Sequence, residues 1–251
     1  MSEAQIEVGI HLARNQRKVA DQTSFEGSVA ATLAKEDVGA CIEKVGLIPV
    51  VRLASAEDSL FVAEALAEVG ISVVEISILQ RGSLDVISHL VRHAPGIIVG
   101  AGSIFNVDEA SRCLDAGAKF LTSDIFVASV VELAAREEIL VIPAAFTPTE
   151  VMTAWNAGAD FVKVAPCDAV GGHNYIRSLK TALPHIRMVA AGGVDQLTAV
   201  NFIKAGATSL SVGKELIPDE SIWLRQTRRI QELGRRFLAA IDTGRKQTAP
   251  S

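Results

Sequence analysis

The chain has 251 residues and a net charge of −5, and its composition is 49% hydrophobic, 21% charged and only 5% aromatic. That supplies apolar material for one large core or two small ones and excludes disorder over most of the length. The acidic balance argues against a nucleic-acid partner, which selects for a basic face.

Three cysteines, Cys41, Cys113 and Cys167, lie far apart with no disulfide framework or metal-ligand spacing, as suits a reducing compartment. No run reaches the roughly 18 apolar residues of a membrane span. Glu3, Glu7, Asp21 and Glu26 are out of place in a mitochondrial leader, and the segment lacks the apolar centre of a secretory signal. Residues 1–36 are therefore expected to be a polar N-terminal extension of a cytoplasmic protein.

From residue 47 onward, short apolar runs alternate with longer amphipathic stretches. The runs are 47–51, 72–78, 97–102, 119–123, 140–145, 160–165, 187–191 and 209–213, eight in all. Most are continuously hydrophobic, the pattern of parallel strands covered on both faces. The stretches between them have helical spacing, with Ser55 and Asn106 placed as N-caps. Gly70, Gly117, Gly158 and Gly206 each stand between a helical pattern and a strand, 47, 41 and 48 residues apart. Glycine there supplies the left-handed residue that ends a helix. Eight strand–helix units in a chain near this length predict an α/β fold, a (β/α)8 TIM barrel over 37–242, with flanking helices and a tail at 243–251. The alternative is an open doubly wound sheet. The basic, amphipathic stretch 219–241 reads as a packing helix rather than a membrane or nucleic-acid element.

Charges inside apolar strands are costly unless paired or used. Three stand out: Arg52 ends the first run, Glu75 interrupts the second and Lys163 the sixth. If the faces bearing Lys163 and Glu75 point inward, an amine and a carboxylate meet in a low-dielectric interior. Burial disfavours an ammonium, and a neutral amine forms a Schiff base with a carbonyl. A purely structural Lys–Glu ion pair fits the same positions. Gly192 and Gly193 follow the seventh run, and Gly213 with Lys214 follows the eighth. In such barrels the loops after strands seven and eight bind phosphate through backbone N–H groups, although a Gly-Gly pair also serves as a plain turn.

Colinear segments from about residue 37 to 240 resemble the KDPG/KHG aldolases. They are IPVVR (48–52), VVEIS (73–77), GAGSIFN (100–106), IPAAFTPTE (142–150), DFVKVAP (160–166), GGHNYIRSL (171–179), AAGGV (190–194) and VGKELIP (212–218). The resemblance implies a homotrimeric barrel without metal or organic cofactor that cleaves a 2-keto-3-deoxy-(6-phospho) sugar acid or a 4-hydroxy-2-oxo acid to pyruvate and an aldehyde. It implies Lys163 as the Schiff-base lysine and Glu75 as the general acid/base. Arg52 and Ser103 would hold the substrate carboxylate, and Gly192, Gly193, Gly213 and Lys214 its phosphate.

The chain departs from the family pattern at several points. Leu79 stands at an arginine position that Arg81 need not replace. Asp124 stands where Ser-Pro is usual after the fourth strand, Ala144 and Ala165 replace glycine and phenylalanine, and Lys214 replaces a serine. A phosphosugar isomerase or epimerase, or a non-catalytic ligand-binding barrel, stands as the alternative function. His173 and Cys167, near the Schiff-base strand, have no visible partner, and Met152, Trp155 and Phe161 read as core.

Overall fold

The eight apolar runs emerge as nine strands, because Pro143 divides one of them. The computed structural model describes residues 33–248, so the expected extension lies outside it up to residue 32. The strands are β1 (Leu47–Val51), β2 (Val73–Ser77), β3 (Ile98–Gly102), β4 (Phe120–Thr122), β5 (Leu140–Ile142), β6 (Ala144–Ala145), β7 (Val162–Val164), β8 (Met188–Ala191) and β9 (Ser209–Val212). Their order is β5-β4-β3-β2-β1-β9-β8-β7-β6, and all neighbours are parallel. The two ends of the sheet, β5 and β6, are halves of a single run, so the sheet closes into an eight-stave barrel. The division has a chemical cause. Proline has no N–H to give a ladder, and pairing to β4 ends at Ile142 while pairing to β7 begins at Ala144. The Pro143 carbonyl still accepts from the Lys163 N–H at 2.9 Å, which ties the break to the strand that carries the lysine.

Helices α1 (Lys35–Val45), α2 (Ala56–Ala67), α3 (Ser83–His93), α4 (Val107–Asp115), α5 (Ala128–Arg136), α6 (Pro148–Asn156), α7 (His173–Ala182), α8 (Ala199–Lys204), α9 (Asp219–Trp223) and α10 (Thr227–Thr248) surround the strands. Both expected caps form: Ser55 Oγ accepts from the Asp58 N–H at 3.1 Å and Asn106 Oδ1 from the Glu109 N–H at 2.9 Å. The four punctuating glycines have φ between 92° and 103°, as the helix-to-strand reading requires. Residues 34–248 form one compact unit.

Inside the barrel the β3 glycines make room for larger neighbours. A Cβ on Gly100 would overlap the Phe120 ring, which is wholly buried. Helix α1 packs against β1, β2, β5 and β9, with Gly39 against Leu140, and covers the bottom of the barrel. Helix α10 buries Ile230, Leu233, Phe237 and Ile241 against α8 and α2, the packing role its amphipathic pattern predicted. The boundaries expected at 36/37 and 242/243 fall inside α1 and α10. The reason is that Gly244 packs on Ile203 and Arg245 donates to the Lys44 carbonyl at 2.8 Å, so α10 continues past the last large apolar residue. Met152 and Trp155 pack at the edge of the core, and Phe161 is fully buried beneath the Arg187 guanidinium, 4.5 Å from the ring centre. Among the described residues, no helix is long and apolar enough to cross a membrane.

Candidate active site

The carboxyl ends of the strands surround a cavity of about 390 Å³, within the usual range for small-molecule sites. Arg52, Glu75, Lys163, Gly192, Gly193, Gly213 and Lys214 all line it. The parallel register explains part of this convergence. Glu75 is level with Val50 on one side and Gly100 on the other, and Lys163 is level with Ala144 and Val189. Glu75 and Lys163 are 3% and 5% exposed, so both charged groups are held inside the protein.

The carboxylate that meets Lys163 is not Glu75. Lys163 Nζ donates to Asp124 Oδ1 at 2.9 Å, and that is its ion pair among the described residues. This corrects the inward-facing Lys163–Glu75 pairing expected from strand parity. The Glu75 side chain lies over β3, where a Cβ on Gly102 would overlap its carboxylate, while the turn after β4 swings Asp124 across the mouth of the barrel. Burial by itself raises the Asp124 pKa. The Lys163 charge, hydrogen bonds from Lys163 and the Ser103 hydroxyl, and the Arg52 charge outweigh that penalty and hold the carboxyl below its ordinary 3.8. Asp124 was visible in the sequence only as a departure from Ser-Pro. The signal that could have found it is a charge placed directly after a barrel strand, where catalytic side chains of this fold reside.

Ser103 is buried and does not line the cavity; it stands behind the wall. Its φ of 62° is left-handed, an uncommon state for serine, and its hydroxyl lies 3.1 Å from that of Ser77. The strained turn therefore aims one hydroxyl between Ser77 and Asp124.

Gly192 and Gly193 have φ of 86° and 67°, and a Cβ on either would collide with Asp168. Glycine is needed here for both conformation and space. The loop is tethered by Asp195, whose carboxylate accepts from the Leu197 and Thr198 N–H groups at 2.8 Å, while Thr198 Oγ1 donates to the Gly193 carbonyl at 2.9 Å. Desolvation raises the Asp195 pKa, but the Thr198 and Leu197 hydrogen bonds outweigh it and keep it below the usual range. Across the cavity the Arg52 guanidinium packs beside Gly213, so close that a Cβ there would lie 2.9 Å from Nη1. Lys214 is exposed and paired with Asp219 at 3.0 Å, an engagement an anionic ligand would have to displace.

Other sequence candidates lie elsewhere. Leu79 is exposed, and Arg81 lines a separate hollow with Glu109 and Arg112, so neither replaces an active-site arginine. His173 packs edge-on to Phe202 with ring centres 6.1 Å apart. Cys167 is fully buried, its thiol pushed up to about 11 by burial and donating to the Val164 carbonyl. Among the described residues no cluster of three or more His, Cys, Asp or Glu side chains could hold a metal ion.

The family model for KDPG and KHG aldolases matches residues 38–233. A probable 2-dehydro-3-deoxy-6-phosphogalactonate aldolase from Rhizobium meliloti is 30% identical over 172 residues, covering 68% of this chain and 81% of that protein. The KHG/KDPG aldolase of Escherichia coli is 24% identical, covering 75% and 89%. A crystal structure of the KDPG aldolase from Legionella pneumophila, with pyruvate captured as a covalent carbinolamine, superposes with a TM-score of 0.73 at 24% identity, covering 78% of this chain and 95% of that one. The barrel, the lysine in its mouth and a family match spanning most of the chain lead to one conclusion: this chain belongs to the KDPG and KHG aldolase family, whose members are lyases.

Proposed function

We propose that the chain reversibly cleaves a 2-keto-3-deoxy-(6-phospho) sugar acid or a 4-hydroxy-2-oxo acid to pyruvate and an aldehyde, through an imine on Lys163. The observation that carries this reading is a lysine 5% exposed, opening into a cavity that also holds Arg52 and Glu75. The Lys163 amine attacks the C2 carbonyl. The resulting protonated imine accepts the electron pair of the C3–C4 bond, giving an enamine and an aldehyde. Glu75 takes the C4 hydroxyl proton and later returns a proton to C3 of the enamine. Arg52 faces the substrate carboxylate, and Ser103, expected to share that role, backs the wall behind it. Gly192, Gly193, Gly213 and Lys214 take the distal phosphate where one is present, and the carbinolamine trapped in the Legionella pneumophila enzyme is the same chemistry in a relative.

Borohydride reduction in the presence of pyruvate tests it. The expected product is a stable adduct on Lys163, absent from Lys163→Ala, which also loses turnover. Unlabelled Lys163 together with full activity of Lys163→Ala would remove the imine, whereas no pyruvate release from any keto-deoxy acid would leave an isomerase-type or binding role. The same reading includes a homotrimer in the cytoplasm. Leu79, Phe105, Ile125 and Phe146, all exposed, follow β2, β3, β4 and β6 in succession round one end of the barrel, and clustered exposed apolar side chains mark contact surfaces.

A further inference from the structure

Imine formation needs Lys163 as a free amine, yet its Nζ is held by Asp124 at 2.9 Å. Glu75, which the reading above assigns to the carbon chemistry, forms no ion pair with Lys163. The two carboxylates also differ in setting. Both line the cavity that takes the substrate, but Glu75 lies against β3 and is 3% exposed, whereas the Asp124 side chain is 45% exposed and holds Lys163.

We propose that Asp124 is a second catalytic residue, the acid and base that makes and breaks the imine, with Glu75 confined to the C3–C4 step. The inference rests on Lys163 being the imine-forming residue. In the resting pair, Asp124 takes one proton from the Lys163 ammonium, leaving a neutral amine and a neutral carboxyl. The Nζ lone pair forms the bond to C2 as the carbonyl π pair moves to oxygen, and one proton passes from nitrogen to that oxygen, giving the carbinolamine. The Asp124 carboxyl then gives its proton to the carbinolamine hydroxyl, which leaves as water while the nitrogen lone pair closes the C=N bond. The products are a protonated imine, water and an Asp124 carboxylate, so the ammonium–carboxylate pair becomes an iminium–carboxylate pair with no change of net charge. The other groups facing this pair are Arg52, Glu75 and the Ser103 hydroxyl, with Lys214 and Glu215 at the mouth.

The test is the rate of borohydride-trapped pyruvate adduct in the full chain, set against exchange of the pyruvate methyl protons with deuterated solvent. Asp124→Asn keeps the shape and loses the base. It is expected to slow trapping by about 100-fold or more, the usual range for general acid–base catalysis, and to lose the acid-side fall of the trapping rate. Asp124→Glu should recover part of the rate. Glu75→Gln should do the opposite, trapping normally while proton exchange is lost. Asp124→Ser carries the same expectation if the asparagine variant does not fold. Trapping by Asp124→Asn at the wild-type rate with an unchanged pH profile overturns the proposal. Absence of any adduct in the wild-type protein overturns instead the reading beneath it.

Discussion

Asp124 is a residue whose titration the fold alters. Its carboxyl titrates lower in the folded chain than in the unfolded one, despite the opposing effect of burial, because Lys163 sits beside it. Such a group contributes stability that is present above its unfolded pKa, near 3.8, and is lost as pH falls through the lower folded value. Stability followed by circular dichroism should therefore fall below about pH 4 in the wild-type chain, and Asp124→Asn, which lacks the titrating carboxyl, should show a flatter fall there. Cysteine reactivity offers a second check at this scale. Cys113 and Cys167 are buried with thiols raised to about 11, whereas Cys41 is only half-buried. Iodoacetamide on the native protein should label Cys41 and leave Cys113 and Cys167 unmodified until denaturant is added. An equal rate at Cys167 would contradict its burial.

At the scale of elements, small residues and caps place the site. Gly100 on β3 admits the Phe120 ring to the barrel interior, and a methyl group there has no space. Gly100→Ala should destabilise the chain by about 1–3 kcal/mol, the typical cost of overpacking, read as a lower urea midpoint with an unchanged slope. Helix α6 begins with a reciprocal cap. The Glu150 N–H donates to Thr147 Oγ1, and the Glu150 carboxylate accepts from the Thr147 and Phe146 N–H groups. Thr147→Ala should cost about 1 kcal/mol, measurable by the same titration.

The caps at Ser55 and Asn106 and the punctuating glycines were legible in the sequence because they act over three or four residues. The break at Pro143 was not read, because a continuous apolar run hides it. What separates β5 from β6 is the switch of hydrogen-bond partner from β4 to β7, a relation between distant strands. Likewise Lys163 and Glu75 were legible as charges in apolar strands. Asp124 was not, because it follows its strand and gains meaning only from the strand on the far side of the closure.

At the scale of the whole molecule, α10 closes the described structure against α1. Arg245 donates to the carbonyls of Glu43 and Lys44 at the end of α1, and α10 packs on α2 and α8. A chain ending at residue 242 should melt lower, by about 2–4 °C for each kcal/mol removed in a protein of this size. Calorimetry would show it, and an unchanged Tm would mean that Gly244 and Arg245 are dispensable.

What the sequence determined by itself was the barrel, the family and several of the polar groups that line its mouth, Asp124 not among them. Hydrophobic periodicity, caps and glycine spacing are local signals, and a colinear set of motifs survives extensive substitution between them. Only the tertiary structure decided which carboxylate holds the lysine. Closing the sheet brings the turn after β4 over the side chain of β7, and the Coulomb attraction between two groups 39 positions apart depends on that closure rather than on anything nearby in the chain.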